Sequence, residues 1–436
     1  MGPGLPQPAY AYPAASIGRA PARAVSAPPR ATFFDIAEAV VVSIILLLLS
    51  QALVGPLFNP AAPAEGAEWL RTMWLPIYAV MVVLAAWRAP HLASVWPGGL
   101  MMLGLIAYAF VTVAWSVAPD ITIRRAVALT FCTLFGLYLA GRYSWRQMLE
   151  LIAFSFLFLA VGSFIVCLAV PSIGIDHELH VGAWRGLWYE KNAFGGAMAK
   201  GTLACIVAAL LSPQRRKVWT GAAVFCALLV PTSTSTTAII GLAFVLAGVV
   251  GIRMLRRGGA QAVAAVWLGL LGLLAVFALF EFAPELFFKA VGKDASLSGR
   301  TGIWEAMMRQ IDQQPWRGFG YGAFWRPESV PGAWVRKEVQ WNVVAADNGW
   351  YDLLAQTGRI GVGLFSVTLV AGFYAAFRSL WRGRECYWAI LWFALLCLFS
   401  LSESVLMKPN AVLWVIYVAT LAKLLQTGQA RAPADR

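Results

Sequence analysis

Long apolar runs separated by short polar connections dominate the chain and decide its fold class. Runs of about 20 residues recur along almost the whole length, and each is long enough to cross about 30 Å of hydrocarbon. We therefore predict an all-α polytopic membrane protein with twelve transmembrane helices. The predicted spans are 36–55, 72–88, 99–116, 122–141, 149–170, 193–212, 218–232, 236–252, 262–283, 350–376, 385–402 and 409–425.

The polar stretches between and around these runs define the predicted domain organisation. Residues 1–31 are rich in proline and alanine and show no hydrophobic periodicity, which favours a disordered cytoplasmic tail. Residues 32–428 form the predicted multi-span membrane domain, and 429–436 form a second cytoplasmic tail. The longest polar segment, 284–349, is predicted to be one large extracytoplasmic loop that contains short helices.

Composition and charge support this membrane topology and argue against a nucleic-acid partner. Hydrophobic residues make up 60% of the 436 residues, charged residues 13%, and the net charge is +13. Most of the positive excess lies in short loops between spans, as the positive-inside rule requires of cytoplasmic loops. The cations of these loops are Arg88, Arg142, Arg146, Arg215, Arg216, Lys217, Arg253, Arg256, Arg257, Arg378, Arg382 and Arg384. We therefore expect both termini in the cytoplasm.

A second set of cations breaks the positive-inside rule. These residues fall in loops assigned to the opposite side, at Arg124, Arg125, Arg185, Lys191, Arg300, Arg309, Arg317, Arg326, Arg336 and Lys337. Cations that converge on one surface predict an anion there, and a lipid-linked phosphate or pyrophosphate suits a membrane protein. Arginine offers such an anion a planar fork and lysine a point charge.

The segment from Ser298 to Gln313 has the spacing of a short amphipathic helix. Ser298 or Thr301 can cap its start, and Glu305 and Arg309 stand four residues apart in the order that favours an ion pair. Arg300 falls at the helix N-terminus, where free N–H groups favour an anion. The alternatives for Arg300 are a phosphate ligand and a solvated first-turn side chain.

Glycines alternate with aromatic residues in PWRGFGYGAFW, residues 315–325. The pattern is not a nucleotide-binding loop, because no strand precedes it and no βαβ unit surrounds it. Its aromatic rings, with Tyr321 among them, can anchor at the membrane interface or stack on sugar rings. The loop tryptophans allow the same two interpretations, and an interfacial belt explains most of them.

Two carboxylates are candidates for proton transfer at the same face. Asp347, before Asn348 and Gly349, is either the N-cap of the next helix or a base that accepts the proton of an acceptor hydroxyl. Glu403, at the outer end of a span, is the second candidate, because an acid at that depth usually has a partner.

No metal site or cofactor site is apparent in the sequence. The six cysteines lie mostly in apolar spans without CxxC pairs, which is typical of small buried side chains. His177 and His180 lack acidic or cysteine partners at metal spacing, and no DxD pattern is present. We predict no metal and no cofactor, with arginine and lysine stabilising a leaving group.

A chain of motifs in fixed order resembles the superfamily of O-antigen ligases, O-antigen polymerases and exopolysaccharide polymerases. The motifs are AWSVAPDITIRRA (114–126), GAWRGLWYEKNAFGG (182–196), LSGRTGIWEAMMRQIDQQPWRGFGYGAF (297–324), DNGWYDLLAQTGRIG (347–361) and SES (402–404). They cover roughly residues 110–405, and the WRG and KN elements are most similar to the exopolysaccharide branch. This resemblance implies a multi-span bundle with a large periplasmic loop.

The resemblance also implies roles for individual residues. Arg185 and Arg300 would contact a donor pyrophosphate, and Arg124 and Lys191 would support it. We expect Asp347 and Glu403 to complete the catalytic set. The further substrate-binding candidates are Asn192, Arg317, Tyr321 and Asn348. One position departs from the pattern, because the ligase branch usually has His-Asn-Gly where this chain has Asp347-Asn348-Gly349. Asp347 is then a substitute base, or the role has moved to Glu403 or to no residue.

The function that the resemblance implies is transfer of a glycan from a polyprenyl pyrophosphate to an acceptor hydroxyl at the periplasmic face. The expected product is a polymer of exopolysaccharide or O-antigen repeat units. One alternative is ligation of finished glycan to lipid A-core, and another is a transporter or flippase for a lipid-linked glycan. The expected partners are the lipid-linked donor, a glycan or lipid A-core acceptor, membrane lipids and other polysaccharide export proteins.

Overall fold

The computed structural model describes residues 32–53, 56, 68–178, 180–282 and 299–427. The two predicted tails and residues 284–298 of the predicted loop lie outside this range. The described residues divide between two units, one that ends at Val40 and one that begins at Val41. Residues 33–40 of the first unit form the first part of a helix.

The described residues form fourteen helices of ten residues or more and no named strand. The first nine are α1 (Phe33–Leu49), α2 (Glu68–Trp87), α3 (Trp96–Val111), α4 (Pro119–Arg142), α5 (Trp145–Ala169), α6 (Lys191–Leu211), α7 (Arg216–Leu229), α8 (Thr236–Arg257) and α9 (Gly259–Phe282). The others are α10 (Arg300–Ile311), α11 (Val330–Val339), α12 (Gly349–Arg378), α13 (Glu385–Ser400) and α14 (Val412–Leu424). The all-α prediction is confirmed.

Ten of the helical segments have the length or apolar character expected of membrane elements. Among the described residues, six helical segments are long and apolar enough to span a membrane: Ala89–Trp115, Pro119–Arg142, Trp145–Ala169, Lys191–Leu211, Thr236–Arg257 and Gly349–Arg378. Four shorter apolar helical segments are Thr72–Trp87, Gly259–Ala275, Glu385–Ser400 and Val412–Leu424. All ten coincide with predicted spans, whereas the count of twelve stays a prediction.

The centre of the bundle is α6, which packs against α5, α7, α8 and α13. Glycine and alanine dominate this helix, and a Cβ added at Gly195 or Gly201 would lie within about 3 Å of a neighbouring side chain. Small residues therefore let the surrounding helices approach closely, as is common where membrane helices pack. A second group joins α14 to α3, α4 and α12.

Residues 299–348, which we call the loop layer, form a separate small core at one end of the bundle. Ile303, Met307 and Ile311 on α10 are buried against Phe324 and Val335, so the predicted apolar face of α10 is packed. The N-cap of α10 is Gly299 without a side-chain hydrogen bond, and the predicted Thr301 cap is not formed. Arg309 pairs with Glu338 on α11 instead of with Glu305.

The glycine-rich segment 315–322 joins the loop layer to α12. Gly358 has φ 64° and ψ −171°, which breaks the helix there. Four backbone hydrogen bonds connect the kink to the segment. The N–H groups of Phe319 and Gly320 donate to the carbonyls of Ala355 at 2.9 Å and Gln356 at 3.0 Å. In the other direction, the N–H groups of Arg359 and Ile360 donate to the carbonyls of Pro315 at 2.9 Å and Trp316 at 3.3 Å. A Cβ at Gly358 would lie 2.3 Å from the Trp316 carbonyl, so this close approach requires glycine.

Candidate functional site

The first element of the site is an ion pair between Arg300 and Asp347 at the junction of the loop layer and α12. Nη2 and Nε of Arg300 donate to Oδ2 of Asp347 at 3.0 and 3.2 Å. The Arg300 side chain is 15% exposed and that of Asp347 48% exposed. A mostly buried guanidinium therefore holds a carboxylate that faces solvent. Among the described residues, Nη1 of Arg300 makes no hydrogen bond.

Asn348 fixes the position of Asp347. Its Oδ1 accepts hydrogen bonds from the N–H groups of Trp350 and Tyr351 at 3.0 and 3.3 Å, so Asn348 is the N-cap of α12. Its Nδ2 donates to the carbonyl of Leu401 at 3.4 Å, beyond the end of α13. The interpretation of Asp347 as the N-cap is therefore wrong by one residue. The Asp347 carboxylate is left for Arg300, with its backbone at φ 50°.

Two further carboxylates, Glu190 and Glu403, lie near this pair. The surrounding protein desolvates Glu403 and raises the pKa of its carboxyl. The negative charges of Glu190 and Asp347 raise that pKa further, against the opposing effect of Lys200 and Lys408. Desolvation and the charge of Asp347 likewise raise the pKa of Glu190, which Lys408 and Arg300 oppose. The structure thus brings Arg300, Asp347 and Glu403 of the predicted set into one electrostatic cluster.

Lys200 belongs to this cluster, and the sequence analysis missed it. It lies in the third turn of α6, is 8% exposed, and places Nζ 4.0 Å from the centroid of the Phe399 ring. A Cβ at Gly196 would lie 3.1 Å from this Nζ, so glycine at that position makes room for the ammonium group. The available signal was a lone lysine inside an apolar span, which usually marks a functional position.

Arg185 has a different environment from Arg300. Its Nε donates to the carbonyl of Ile173 at 2.9 Å and its Nη2 to that of Ser172 at 3.3 Å. These bonds tie the loop that precedes α6 to the turn at residues 171–174. Arg124 is exposed, and its Nε donates to the carbonyl of Asp120 at 3.0 Å. Neither arginine bonds to the Arg300–Asp347 pair, and their contact with a donor stays a prediction.

The other predicted binding residues lie either at the start of α6 or in the loop layer. Lys191 and Asn192 open α6, and Nζ of Lys191 donates to Oγ1 of Thr234 at 3.2 Å. Arg317 is exposed and its guanidinium lies 5.6 Å from the Trp115 ring. Tyr321 is 1% exposed, and its hydroxyl donates to the carbonyl of Met407. In this structure Tyr321 therefore packs the loop layer onto the bundle, and stacking on a sugar stays a prediction.

The tryptophans of the loop layer divide between packing and exposure. Trp304 stacks on Tyr351 with 5.4 Å between ring centroids. Trp316 and Trp334 are 60% and 53% exposed. A cavity of about 390 Å³ lies beside Trp334 and is lined by Gln310, Gln313, Phe319, Val330 and Pro331 as well. An exposed indole next to two amides combines a stacking surface with hydrogen-bonding groups.

No metal site is found among the residues that the structure describes. No group of three or more His, Cys, Asp or Glu side chains in this part of the chain is placed to hold a metal ion. Five of the six free cysteines are buried and Cys397 is partly buried, which confirms the expectation of small buried side chains.

Two comparisons with known proteins bear on this site. Residues 221–366 match the family model described as O-antigen ligase, a segment that contains Arg300, Asp347 and the kink of α12. The exopolysaccharide production protein ExoQ of Rhizobium meliloti (strain 1021) is 24% identical over 324 residues, which cover 71% of this chain and 70% of that protein.

These comparisons agree with the ordered motifs and with the multi-pass helical fold. They support a membrane enzyme of the O-antigen ligase and polymerase type that acts in polysaccharide biosynthesis. They confirm the resemblance, drawn from the motifs, to the superfamily of O-antigen ligases, O-antigen polymerases and exopolysaccharide polymerases, and to its exopolysaccharide branch.

Proposed function

We propose that the protein is an inner-membrane glycosyltransferase that polymerises polyprenyl-pyrophosphate-linked repeat units of an exopolysaccharide or O-antigen. The observation that carries this proposal is the convergence of Arg300, Lys200 and Lys408 with three carboxylates at the loop-layer end of the bundle. Such a cluster offers cations for a departing pyrophosphate and carboxylates for an attacking hydroxyl.

The proposed orientation places the cluster at the periplasmic face and both termini in the cytoplasm. The helix α6 begins beside the cluster at Lys191 and ends at Leu211, and the next residues include Arg215, Arg216 and Lys217. The loop after α12, at the same far end, carries Arg382 and Arg384. Short loops rich in arginine and lysine mark the cytoplasmic side of membrane proteins.

The proposed reaction is one displacement at an anomeric carbon. The acceptor hydroxyl forms the new C–O bond, and the bond from that carbon to the pyrophosphate oxygen breaks with its electron pair. Arg300 has an N–H group available on Nη1 and stabilises the growing negative charge of the polyprenyl pyrophosphate. The acceptor proton passes to a carboxylate. Holding donor and acceptor side by side supplies the orientation that the reaction requires.

Glu403 is better suited than Asp347 to accept the proton of the acceptor hydroxyl. Oδ2 of Asp347 already accepts two hydrogen bonds from Arg300, so Arg300 occupies this oxygen. Desolvation raises the pKa of Glu403 above that of an ordinary glutamate, and a base with a pKa closer to neutrality accepts a proton more readily. Asp347 then serves to orient Arg300.

Ligation of glycan to lipid A-core is the second candidate, because the matching family model is described as O-antigen ligase. The donor chemistry would be the same, and only the acceptor would differ. The exposed Trp334 and its neighbouring glutamines provide a surface for a growing glycan, which favours the polymerase.

Purified protein in liposomes, supplied with a polyprenyl-pyrophosphate-linked repeat unit and a chelator, tests the proposal. We expect longer glycan and released polyprenyl pyrophosphate with wild type, and loss of both with Arg300→Ala. Arg309→Ala is the matched control, because Arg309 lies on the same helix and pairs with Glu338 in the loop layer. It should retain activity.

Other results of this assay would point elsewhere. Release that requires added lipid A-core would identify a ligase. Growth abolished by the chelator would contradict the metal-independent reaction. Absence of turnover with either acceptor, together with movement of the lipid between leaflets, would contradict the enzyme and identify a transporter.

A further inference from the structure

The end of the bundle opposite the loop layer contains a cavity lined by four arginines. Its volume is about 290 Å³, close to the lower limit of small-ligand pockets. The lining residues are Ala209, Leu210, Pro213, Arg216, Val249, Arg253, Arg256, Arg384 and Tyr387. No acidic side chain of the described residues lines the cavity. Two acids lie nearby, outside the lining: Glu385 in the first turn of α13, and Glu150, which bonds to Ser212 and pairs with Arg215.

Two of the arginines build the walls of this arginine pocket. Nη1 of Arg256 donates to the carbonyls of Leu380 and Gly383 and to Sγ of Cys386. Nη1 of Arg384 donates to the carbonyl of Leu210 at 2.9 Å. These bonds join α6, α8 and the loop before α13, so the pocket is held in shape by backbone contacts.

The other polar groups of the pocket have no protein partner among the residues that the structure describes. The side chains of Arg216 and Arg253 make no hydrogen bond or ion pair there, and both are exposed. Tyr387 also lines the cavity, and its hydroxyl makes no hydrogen bond with a described residue. Two unpaired cations and one hydroxyl donor around one cavity indicate an anionic ligand.

We propose that the arginine pocket binds the phosphate group of an anionic membrane phospholipid. Arginine recognises phosphate oxygens through paired N–H groups, and basic pockets between membrane helices bind anionic headgroups. The apolar members of the lining, Leu210 and Val249, belong to α6 and α8. On α8, the neighbouring Leu246 and Val250 are 48% and 57% exposed, which provides an apolar path for acyl chains.

A soluble phosphate compound would offer the pocket the same phosphate group as a lipid headgroup. The exposed apolar side chains of α8 beside the pocket favour the lipid, because they can contact its acyl chains. Topology alone would account for arginines on this surface, but it gives no reason for their arrangement around a cavity together with Tyr387. The site lies at the far end of α6 from the Arg300 cluster, and the proposal does not depend on the reaction catalysed there.

The test compares two double variants of the full chain in detergent, titrated with phosphatidylglycerol and followed by native mass spectrometry. Arg216→Gln with Arg253→Gln removes the two unpaired cations and leaves the wall contacts intact. We expect this variant to bind phosphatidylglycerol about 30-fold more weakly than wild type, since each charge near a lipid headgroup contributes about a factor of five. Arg257→Gln with Arg382→Gln removes the same charge outside the pocket and should change affinity by less than about 3-fold.

Two outcomes would overturn the proposal. Equal weakening in the two double variants would show general attraction between the surface and anionic lipid. Displacement of the lipid by inorganic phosphate at an equal concentration would show that the pocket selects a soluble anion. A third variant, Tyr387→Phe, keeps the ring and removes the hydroxyl. Weaker phosphatidylglycerol binding by this variant supports the pocket, and unchanged binding together with equal double variants contradicts it.

Discussion

The two ends of the helix bundle carry charge in opposite ways. At the loop-layer end, Arg300, Lys200 and Lys408 face Asp347, Glu190 and Glu403. At the far end, the four arginines of the arginine pocket line a cavity without an acid. The first arrangement balances positive and negative side chains around the proposed reaction, in which a proton and a leaving group move. The second presents only positive side chains, which suits an anion that stays bound.

This difference separates two meanings of a cation in a membrane protein. An arginine in a short loop is explained by membrane topology alone. It is a candidate binding group only where it lines a cavity and has hydrogen-bond donors without a protein partner. A cation beside carboxylates near the membrane surface is under stronger constraint, because each group changes the protonation of the others.

The Arg300–Asp347 pair should give the largest effect. We expect Arg300→Ala to lower glycan transfer by about 10²–10³-fold, the typical loss for one donor to a developing negative charge. Asp347→Ala should cost less, about 10-fold, and the double variant should be as slow as Arg300→Ala. Recovery of activity in the double variant would show that Arg300 only neutralises Asp347 and does not act on the donor. Initial rates with a lipid-linked repeat unit measure all three.

The kink of α12 should give the next largest effect, on stability. Gly358→Ala places a Cβ against Trp316 in a backbone conformation that alanine avoids, and we expect a loss of about 3 kcal/mol or more. Gly363→Ala on the same helix is the control, because its Cβ meets nothing within 4 Å, and it should stabilise the helix by up to about 1 kcal/mol. Thermal unfolding in detergent measures both. Phosphatidylglycerol binding at the arginine pocket should survive Gly358→Ala, and its loss would show that the two ends are not independent.

Lys200→Met should raise the unfolding temperature and lower activity. Methionine matches the length of lysine, and it removes a cation whose cost at the centre of a membrane helix is about 2.5–3.5 kcal/mol, of which we expect a part to be recovered. Transfer should fall by about 10–100-fold if the ammonium group supports Glu403. Unchanged activity would show that Lys200 has only a packing role, in contact with the Phe399 ring. The pH profile of the residual activity separates these cases, since loss of Lys200 should move the Glu403 titration to higher pH.

Glu403→Gln should give the smallest of the effects on stability, a change in its pH dependence. The pKa of Glu403 is raised in the folded protein, so the folded state binds this proton more tightly than the unfolded state does. Wild type should therefore gain stability as pH falls from neutrality toward the ordinary range of glutamate, and the variant should lack this gain. Unfolding temperatures between about pH 4 and pH 8, measured side by side, give the difference. Parallel curves would contradict the raised pKa.

The sequence predicts the helices well because the thickness of the bilayer is a physical constant that the chain must match. The ten membrane-type segments overlap predicted spans. The sequence does not show which of Gly358, Gly361 and Gly363 breaks the helix in 350–376, and in the structure the break is at Gly358. The pairing of side chains was less predictable. Arg309 pairs with Glu338 on α11 and not with Glu305 on its own helix. An ion pair within a helix contributes only about 0.2–0.5 kcal/mol to stability, so a partner from another helix can replace it.

The candidate site was predictable in part. The outlying cation Arg300 and the carboxylates Asp347 and Glu403 were identified from topology and motif order, and the structure brings them together. Lys200 was missed because a single lysine in an apolar run does not disturb a hydropathy average. Asn348 took the capping role considered for Asp347, a shift of one residue that depends on backbone angles that the sequence pattern does not encode.

The kink at Gly358 has a consequence for how the chain is made. Backbone groups of Ala355, Gln356, Arg359 and Ile360 bond to residues 315–322. This segment is synthesised before α12, and in the proposed orientation it has already crossed the membrane when the helix inserts. Unsatisfied backbone groups in lipid cost several kcal/mol each, so α12 reaches its final position only when it contacts this segment. The order of synthesis therefore makes the loop layer a template for the insertion of α12.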